Sequence, residues 1–264
     1  MQDLIVTLVQ TELVWENAQA NHIHFEEILK PLYGKQDLII LPEMFTSGFT
    51  MNPAAVAENS DGPTLAWMKK TATESNSVIC GSLVIEEEGQ YFNRLYWVNP
   101  DGTFQYYNKR HLFRMAGEHK CYSGGDRKIF PEIKGWKILP LICYDLRFPV
   151  WSRNQFNNNS YDYDLLIYVA NWPSVRIHAW SKLLLARALE NISYVAGVNR
   201  MGKDGQGIEY NGESALVSPK GFVLSHFENE KASVETFILS VEELKNLRTT
   251  FPVGMDADRF EIHL

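Results

Sequence analysis

A carboxylate, an ammonium and a thiol each stand where an apolar run of this sequence gives way to polar residues. Glu43 follows residues 38–41 and Pro42, Lys109 follows residues 104–107, and Cys143 follows residues 137–142. Together they supply what acyl transfer needs: a general base, a cation for a developing oxyanion, and a nucleophile. Singly, each has a plainer reading. An isolated Cys at a strand end is most often a small buried hydrophobe, a lone Glu there is a solvated loop residue, and a lone Lys is a surface lysine. A free thiol ionises near about pH 8.5 and needs a neighbouring cation, base or helix N-terminus to attack an amide at neutral pH. The shared placement decides between these readings, because ligands of α/β sheets lie beyond the carboxyl ends of the strands. Cys143 also precedes a polar turn, residues 144–149, an elbow from which a thiol projects beside free backbone N–H groups.

The elements that must position these residues alternate along the chain. Apolar periodicity predicts strands over residues 4–9, 38–41 and 78–84, with helices over 17–32 and 62–75 between them. Residues 91–98 and 104–107 flank Asn99-Pro100-Asp101-Gly102 and read as an antiparallel hairpin. Residues 109–135 have little periodicity and contain Gly117, Gly124, Gly125 and Pro131; a loop this long in a compact domain is usually functional. Strands follow at 137–142, 165–169, 193–198, 214–217 and 235–239, and helices at 149–154 and 179–191. No short-period repeat, low-complexity tract or linker divides the chain. The expectation is a single α/β domain over residues 1–264, with 241–264 a C-terminal helix and tail.

Composition narrows the partners. The chain has 264 residues, 45% of them hydrophobic, enough for a substantial core without staples. Its 25 basic and 32 acidic residues give a net charge of −7 with no basic patch, so a nucleic-acid partner is not expected. The longest apolar runs, such as residues 165–170, fall far short of the roughly 20 residues that span a bilayer. With no leader-like N-terminus, a soluble cytoplasmic protein without a membrane partner is expected. Cys80, Cys121 and Cys143 are an odd, sparse set that fits reduced thiols. Cys80 sits within an apolar strand and Cys121 lacks a strand-end context, so both read as structural. His22, His24, Glu26 and Glu27 lack metal-ligand spacing and read as a solvated helix face. Gly202, Gly205 and Gly207 lack dinucleotide-motif spacing and read as a plain loop. Asn157, Asn158 and Asn159 read as a surface loop.

The segments around the three residues resemble the signature blocks of the nitrilase superfamily of carbon-nitrogen hydrolases, and they occur in the same order. These are Leu41-Pro42-Glu43, Asn108-Lys109-Arg110-His111-Leu112-Phe113 and Leu141-Ile142-Cys143-Tyr144-Asp145-Leu146-Arg147-Phe148-Pro149. The resemblance runs from the first strand to about residue 240. It implies a four-layer α-β-β-α sandwich that usually dimerises. It also implies that Glu43 is the general base, that Lys109 stabilises the tetrahedral intermediate, and that Cys143 forms a thioester, with the backbone N–H of Tyr144 completing the oxyanion site. Glu118 sits where many members carry a second glutamate; a second carboxylate can keep an ammonium charged in a partly buried site. Such chemistry requires neither metal nor cofactor.

Within the superfamily the Cys-Tyr-Asp-Leu-Arg-Phe-Pro block and compact length are most similar to the omega-amidase branch, which deamidates small dicarboxylate monoamides such as 2-oxoglutaramate. A substrate of that kind carries a carboxylate far from the amide, and Arg suits it through a bidentate fork. Arg176 is the first candidate, with Trp172 as a pocket wall. Other branches act on N-carbamoyl amines, nitriles or aliphatic amides, and the shared triad does not separate them. A non-catalytic interaction protein that keeps the fold, and a module passing ammonia to or from a synthetase domain, are the remaining readings.

Overall fold

The computed structural model describes residues 1–263. In chain order its principal strands are β1 (Leu4–Gln10), β2 (Leu38–Ile40), β3 (Val78–Glu87), β4 (Gln90–Val98), β5 (Phe104–Asn108), β6 (Trp136–Ile142), β7 (Leu165–Ala170), β8 (Tyr194–Asn199), β9 (Ala215–Val217) and β10 (Ser233–Leu239). The longer helices are α1 (Ala18–Leu29), α2 (Pro63–Ser75), α3 (Ile177–Asn191) and α4 (Val241–Thr250).

Two sheets result. The first runs β10-β1-β2-β3-β4-β5, and the two-residue strand Glu58–Asn59 pairs beside β3. The second runs β9-β8-β7-β6, extended by Glu132–Ile133. In each, the strands that carry the strand-end residues Glu43 and Cys143 are parallel to a neighbour: β1, β2 and β3 in one, β6, β7 and β8 in the other. Parallel strands buried on both faces read as continuous apolar runs, as Leu165–Ala170 does.

Alternation along the strands assigns the layers. Ile39 and Ile79 pack with Phe25 and Leu29 of α1 and Met68 of α2. Their neighbours Leu38, Ile40, Val78 and Cys80 join Ile138, Tyr168 and Val169 of the second sheet, as a period of two requires. The same contiguous cluster continues through the second sheet to Trp180, Leu184 and Ala188 of α3 on its other face. The order of layers is therefore helices, sheet, sheet, helix. Close approach of α3 depends on Gly197 of β8, where a Cβ would meet Leu184 at 2.6 Å and Trp180 at 2.8 Å. Truncating a wholly buried Leu166 to Ala would cost about 2–5 kcal/mol.

Several local expectations are corrected. Residues 201–211 are not a plain loop: Met201–Lys203 and Glu209–Asn211 pair as a hairpin. Asp204 organises its tip, accepting from Gln206 N and Ile208 N at 2.9 Å each and from Tyr210 Oη at 2.9 Å. The aperiodic 109–135 segment holds the turns Arg114–Ala116 and Glu118–Cys121. The predicted 149–154 helix is one turn, Pro149–Ser152, because the backbone turns extended at Arg153, φ −62° and ψ 127°. The asparagine triplet is exposed, as expected of a surface loop, and forms the tip of a short hairpin in which Asn157 pairs with Ser160. The His22 face is not simply solvated: His22 stacks on Trp67 at 5.1 Å and bonds Thr64 at 3.0 Å. Among the described residues no group of three or more His, Cys, Asp or Glu could hold a metal ion, and no helix is long and apolar enough to cross a membrane.

Candidate active site

Glu43 lies just past β2, where the chain still follows β3: Leu41 N donates to Cys80 O at 2.7 Å and Phe45 N to Ser82 O at 3.0 Å. Between them Met44 adopts a left-handed backbone, φ +43°, which turns Glu43 inward. Lys109 leaves β5 with its N–H on Asn93 O at 2.9 Å, and its carbonyl accepts from Gly125 N at 2.9 Å. Gly125 is required there, since a Cβ would meet Asn108 O at 2.3 Å. Cys143 opens the turn after β6 with φ +44°. Strained, left-handed backbone of this kind persists only where surrounding structure holds it, and Asp145 does the holding by accepting from Ile142 N at 3.1 Å.

The side chains converge from both sheets. Lys109 Nζ donates to Glu43 Oε1 at 2.9 Å and to Glu118 Oε1 and Oε2 at 3.0 and 3.1 Å, and all three side chains are fully buried. Glu43 Oε1 also accepts from Asn93 Nδ2 at 2.7 Å, and Oε2 from Asn171 N at 2.7 Å. Cys143 Sγ stands 4.0 Å from the carbonyl of Asn171. Glu118 further accepts from Phe113 N, so it fastens the wall segment 113–118 as well as the lysine.

Burial and charge set the protonation states. Burial pulls the Lys109 ammonium towards neutrality, but the negative charges of Glu118 and then Glu43 outweigh it and hold its pKa above the ordinary lysine value. Burial pushes Glu118 up, with Lys109 opposing and Glu43 adding. The Cys143 thiol is pushed well above its usual range by burial first and then by the charge of Glu43, against Lys109. It therefore rests protonated.

Above the cluster opens a cavity of about 240 Å³, lined by Cys143, Lys109 and Asn171 at its floor and by Phe49, Met51 and Tyr210 on its sides. Tyr144, Trp172 and Arg176, anticipated as substrate contacts, all line it, and so does Arg147. The two guanidiniums rest on aromatic faces, Arg147 over Trp172 at 5.0 Å and Arg176 over Phe113 at 5.1 Å. Trp172 Nε1 donates to Arg176 O at 2.9 Å.

Reasoning from sequence passed over four contributors. Arg147 lay inside a recognised block without a role. Asn93 and Asn171 hold Glu43; a polar residue in the apolar run of β4, and one just past β7, were the available signals. Asp145 ties the cysteine turn to the lysine loop, accepting from Tyr107 Oη at 2.7 Å, His111 N at 3.0 Å and Ile142 N at 3.1 Å, with His111 Nδ1 at 2.8 Å. No sequence signal links those residues. Cys80 is buried within β3 and has its thiol pushed up by burial, whereas Cys121 is half-buried at the end of the short helix after Gly117.

The sequence profile of the carbon-nitrogen hydrolases matches residues 5–248. The chain is 46% identical over 262 residues to the omega-amidase YafV of Escherichia coli K12, covering 99% of this chain and 100% of that protein. It is 32% identical over 223 residues to a 2-oxoglutaramate amidase of Bacillus subtilis, covering 83% and 84%. Among solved structures, XC1258 of Xanthomonas campestris, a CN-hydrolase superfamily protein with an arsenic adduct in its active site, superposes with a TM-score of 0.98 at 44% identity over the full length of both chains. Saccharomyces cerevisiae Nit3 gives a TM-score of 0.82 at 22% identity, covering 96% and 95%.

Proposed function

The chain belongs to the carbon-nitrogen hydrolase family, and we propose from this that it is an omega-amidase, cleaving the terminal amide of small dicarboxylate monoamides such as 2-oxoglutaramate through a Cys143 thioester. The carrying observation is that one cavity joins Cys143 and Lys109 at its floor to Arg147 and Arg176 in its walls. A reacting centre and a carboxylate-binding capacity thus share a space of small-metabolite size. The full-length similarity to YafV of Escherichia coli supports the same reading.

In this mechanism Glu43 is the general base. An ionised carboxylate offers about four lone-pair sites; Lys109, Asn93 and Asn171 take three, two on Oε1 and one on Oε2. One site on Oε2 is left for the thiol proton. Because the thiol rests protonated, its proton passes to Glu43 as Sγ attacks the amide carbon. Lys109 Nζ and the Tyr144 N–H stabilise the oxyanion. As the C–N bond breaks, Glu43 returns the proton to the departing nitrogen, which leaves as ammonia. Water, deprotonated by the same carboxylate, attacks the thioester; the acid departs and the thiol is re-formed. Glu118 holds Lys109 charged throughout. Trp172 forms a wall, and Arg176 with Arg147 pairs the distal carboxylate.

The protein acts as a single-domain homodimer in the cytoplasm. Leu189 on α3 and the neighbouring Phe222 are half or more exposed, a pairing that supports a covered face; light scattering after gel filtration tests it. For the activity, ammonia release is compared across 2-oxoglutaramate, glutamine, an N-carbamoyl amino acid and a nitrile. Preference for the omega-amide is expected, and its absence would remove the substrate assignment.

A further inference from the structure

Base and nucleophile come from different sheets: Glu43 follows β2 of the first, and Cys143 follows β6 of the second. Side-chain packing between two faces does not alone fix two atoms to the tolerance that proton transfer needs, since a misplacement of about 1 Å can cost about 10²-fold in rate. A direct bond across the sheets is required. Asn171, immediately after β7 beside β6, touches both partners.

Its backbone N–H donates to Glu43 Oε2 at 2.7 Å, its side-chain Nδ2 to the Glu43 carbonyl at 2.5 Å, and its own carbonyl faces Cys143 Sγ at 4.0 Å. The Glu43–Met44 peptide is gripped at its other pole by the first sheet, where Met44 N donates to Ser82 Oγ at 2.9 Å. That peptide leads into the left-handed Met44, a conformation that surrounding bonds must impose. The anchor itself is rigid, because the next residue is locked to β8: Trp172 N donates to Asn199 Oδ1 at 2.7 Å, and Asn199 Nδ2 to Trp172 O at 3.0 Å. Among the described residues the buried Asn171 Oδ1 atom has no hydrogen-bond partner. Leaving a buried acceptor unpaired costs about 1–3 kcal/mol, so the amide is oriented for its donor at the expense of its acceptor.

We propose that Asn171 is a positioning residue that, together with Ser82, fixes the Glu43 carboxylate against the Cys143 thiol by holding both poles of the Glu43–Met44 peptide. The proposal rests on the assignment of Glu43 as general base. Releasing the peptide draws the carboxylate off the Asn171 N–H. A carboxylate drawn off that donor no longer stands in line with the thiol, so kcat falls while substrate binding is kept.

The test compares Asn171→Ala, Ser82→Ala and Glu43→Gln with the native enzyme, using 2-oxoglutaramate and recording thermal unfolding. The expected result for Asn171→Ala is a kcat lowered about 10- to 100-fold with KM changed less than about threefold. Ser82→Ala lowers kcat in the same way with KM kept, and decides the matter if Asn171→Ala does not fold. A native kcat in the folded variants, or a loss confined to KM, overturns the proposal. If Glu43→Gln is inactive while the other two behave as native, only the positioning role falls; if Glu43→Gln retains native turnover, the general-base assignment falls with it.

Discussion

Lys109 Nζ lies 2.9 Å from Glu43 Oε1, with both side chains wholly withdrawn from solvent. Glu118 takes the same ammonium from another side at 3.0 Å, so two carboxylates answer one cation beside the Cys143 thiol. Breaking a buried pair by removing one member is strongly destabilising, because the remaining charge has nowhere to go.

Lys109→Met strands two buried carboxylates. A stability loss of about 3–5 kcal/mol is expected, together with a fall in kcat of at least about 10²-fold from the missing oxyanion contact. Urea unfolding at neutral pH measures the first, and an unchanged midpoint would contradict the buried cluster.

Glu118→Gln removes a negative charge that raises the Cys143 thiol. The thiol pKa therefore falls, and alkylation by iodoacetamide at a fixed, mildly alkaline pH becomes faster while turnover declines. A slower or unmoved alkylation profile would mean that the two groups are not electrostatically coupled.

Cys143→Ala is expected to abolish turnover with the unfolding temperature little changed, since the thiol is small and its contact with the Asn171 carbonyl is long, at 4.0 Å. Glu43→Gln lowers turnover by about 10²–10⁴-fold, the usual contribution of a positioned base, and keeps an alkylatable thiol. Intact-mass analysis and ammonia release together check both.

Arg147→Met and Arg176→Met each remove a charge-assisted contact worth about 1.5–3 kcal/mol, which converts to a rise in KM of about 10- to 150-fold. A short monoamide lacking the distal carboxylate should be turned over equally by native and variant enzymes. If KM for the dicarboxylate monoamide stays native in both variants, the carboxylate is bound elsewhere.

Tyr107 is buried and donates to Asp145, and burial followed by the Asp145 charge holds its phenol well above the usual value. In the unfolded chain the phenol ionises near about pH 10. A group whose folded pKa is raised contributes stability that is present below its unfolded pKa and lost as pH climbs beyond it. Chemical unfolding across about pH 8–11 should show that decline, and Tyr107→Phe should flatten its alkaline arm.

The sequence by itself determined the alternation of strands and helices and the strand-end placement of Glu43 and Cys143. The continuous apolar runs of residues 38–41 and of β7 require strands with covered faces, and the strand-end rule marks Glu43 and Cys143. These are local properties, readable from neighbours in the chain. Tertiary structure alone decided which groups hold them. Asn171 reaches Glu43 across 128 positions and Asp145 reaches Tyr107 across 38, contacts that no local pattern encodes because they form only when the two sheets pack. It also decided charge and depth. A glutamate in an aperiodic segment looks solvated, yet Glu118 is buried on Lys109, because the turn after Gly117 folds it inward. The hairpin at 201–211 escaped periodicity for a related reason. Its strands have three residues each, too few for alternation to register, and Asp204 rather than a hydrophobic face sets its shape.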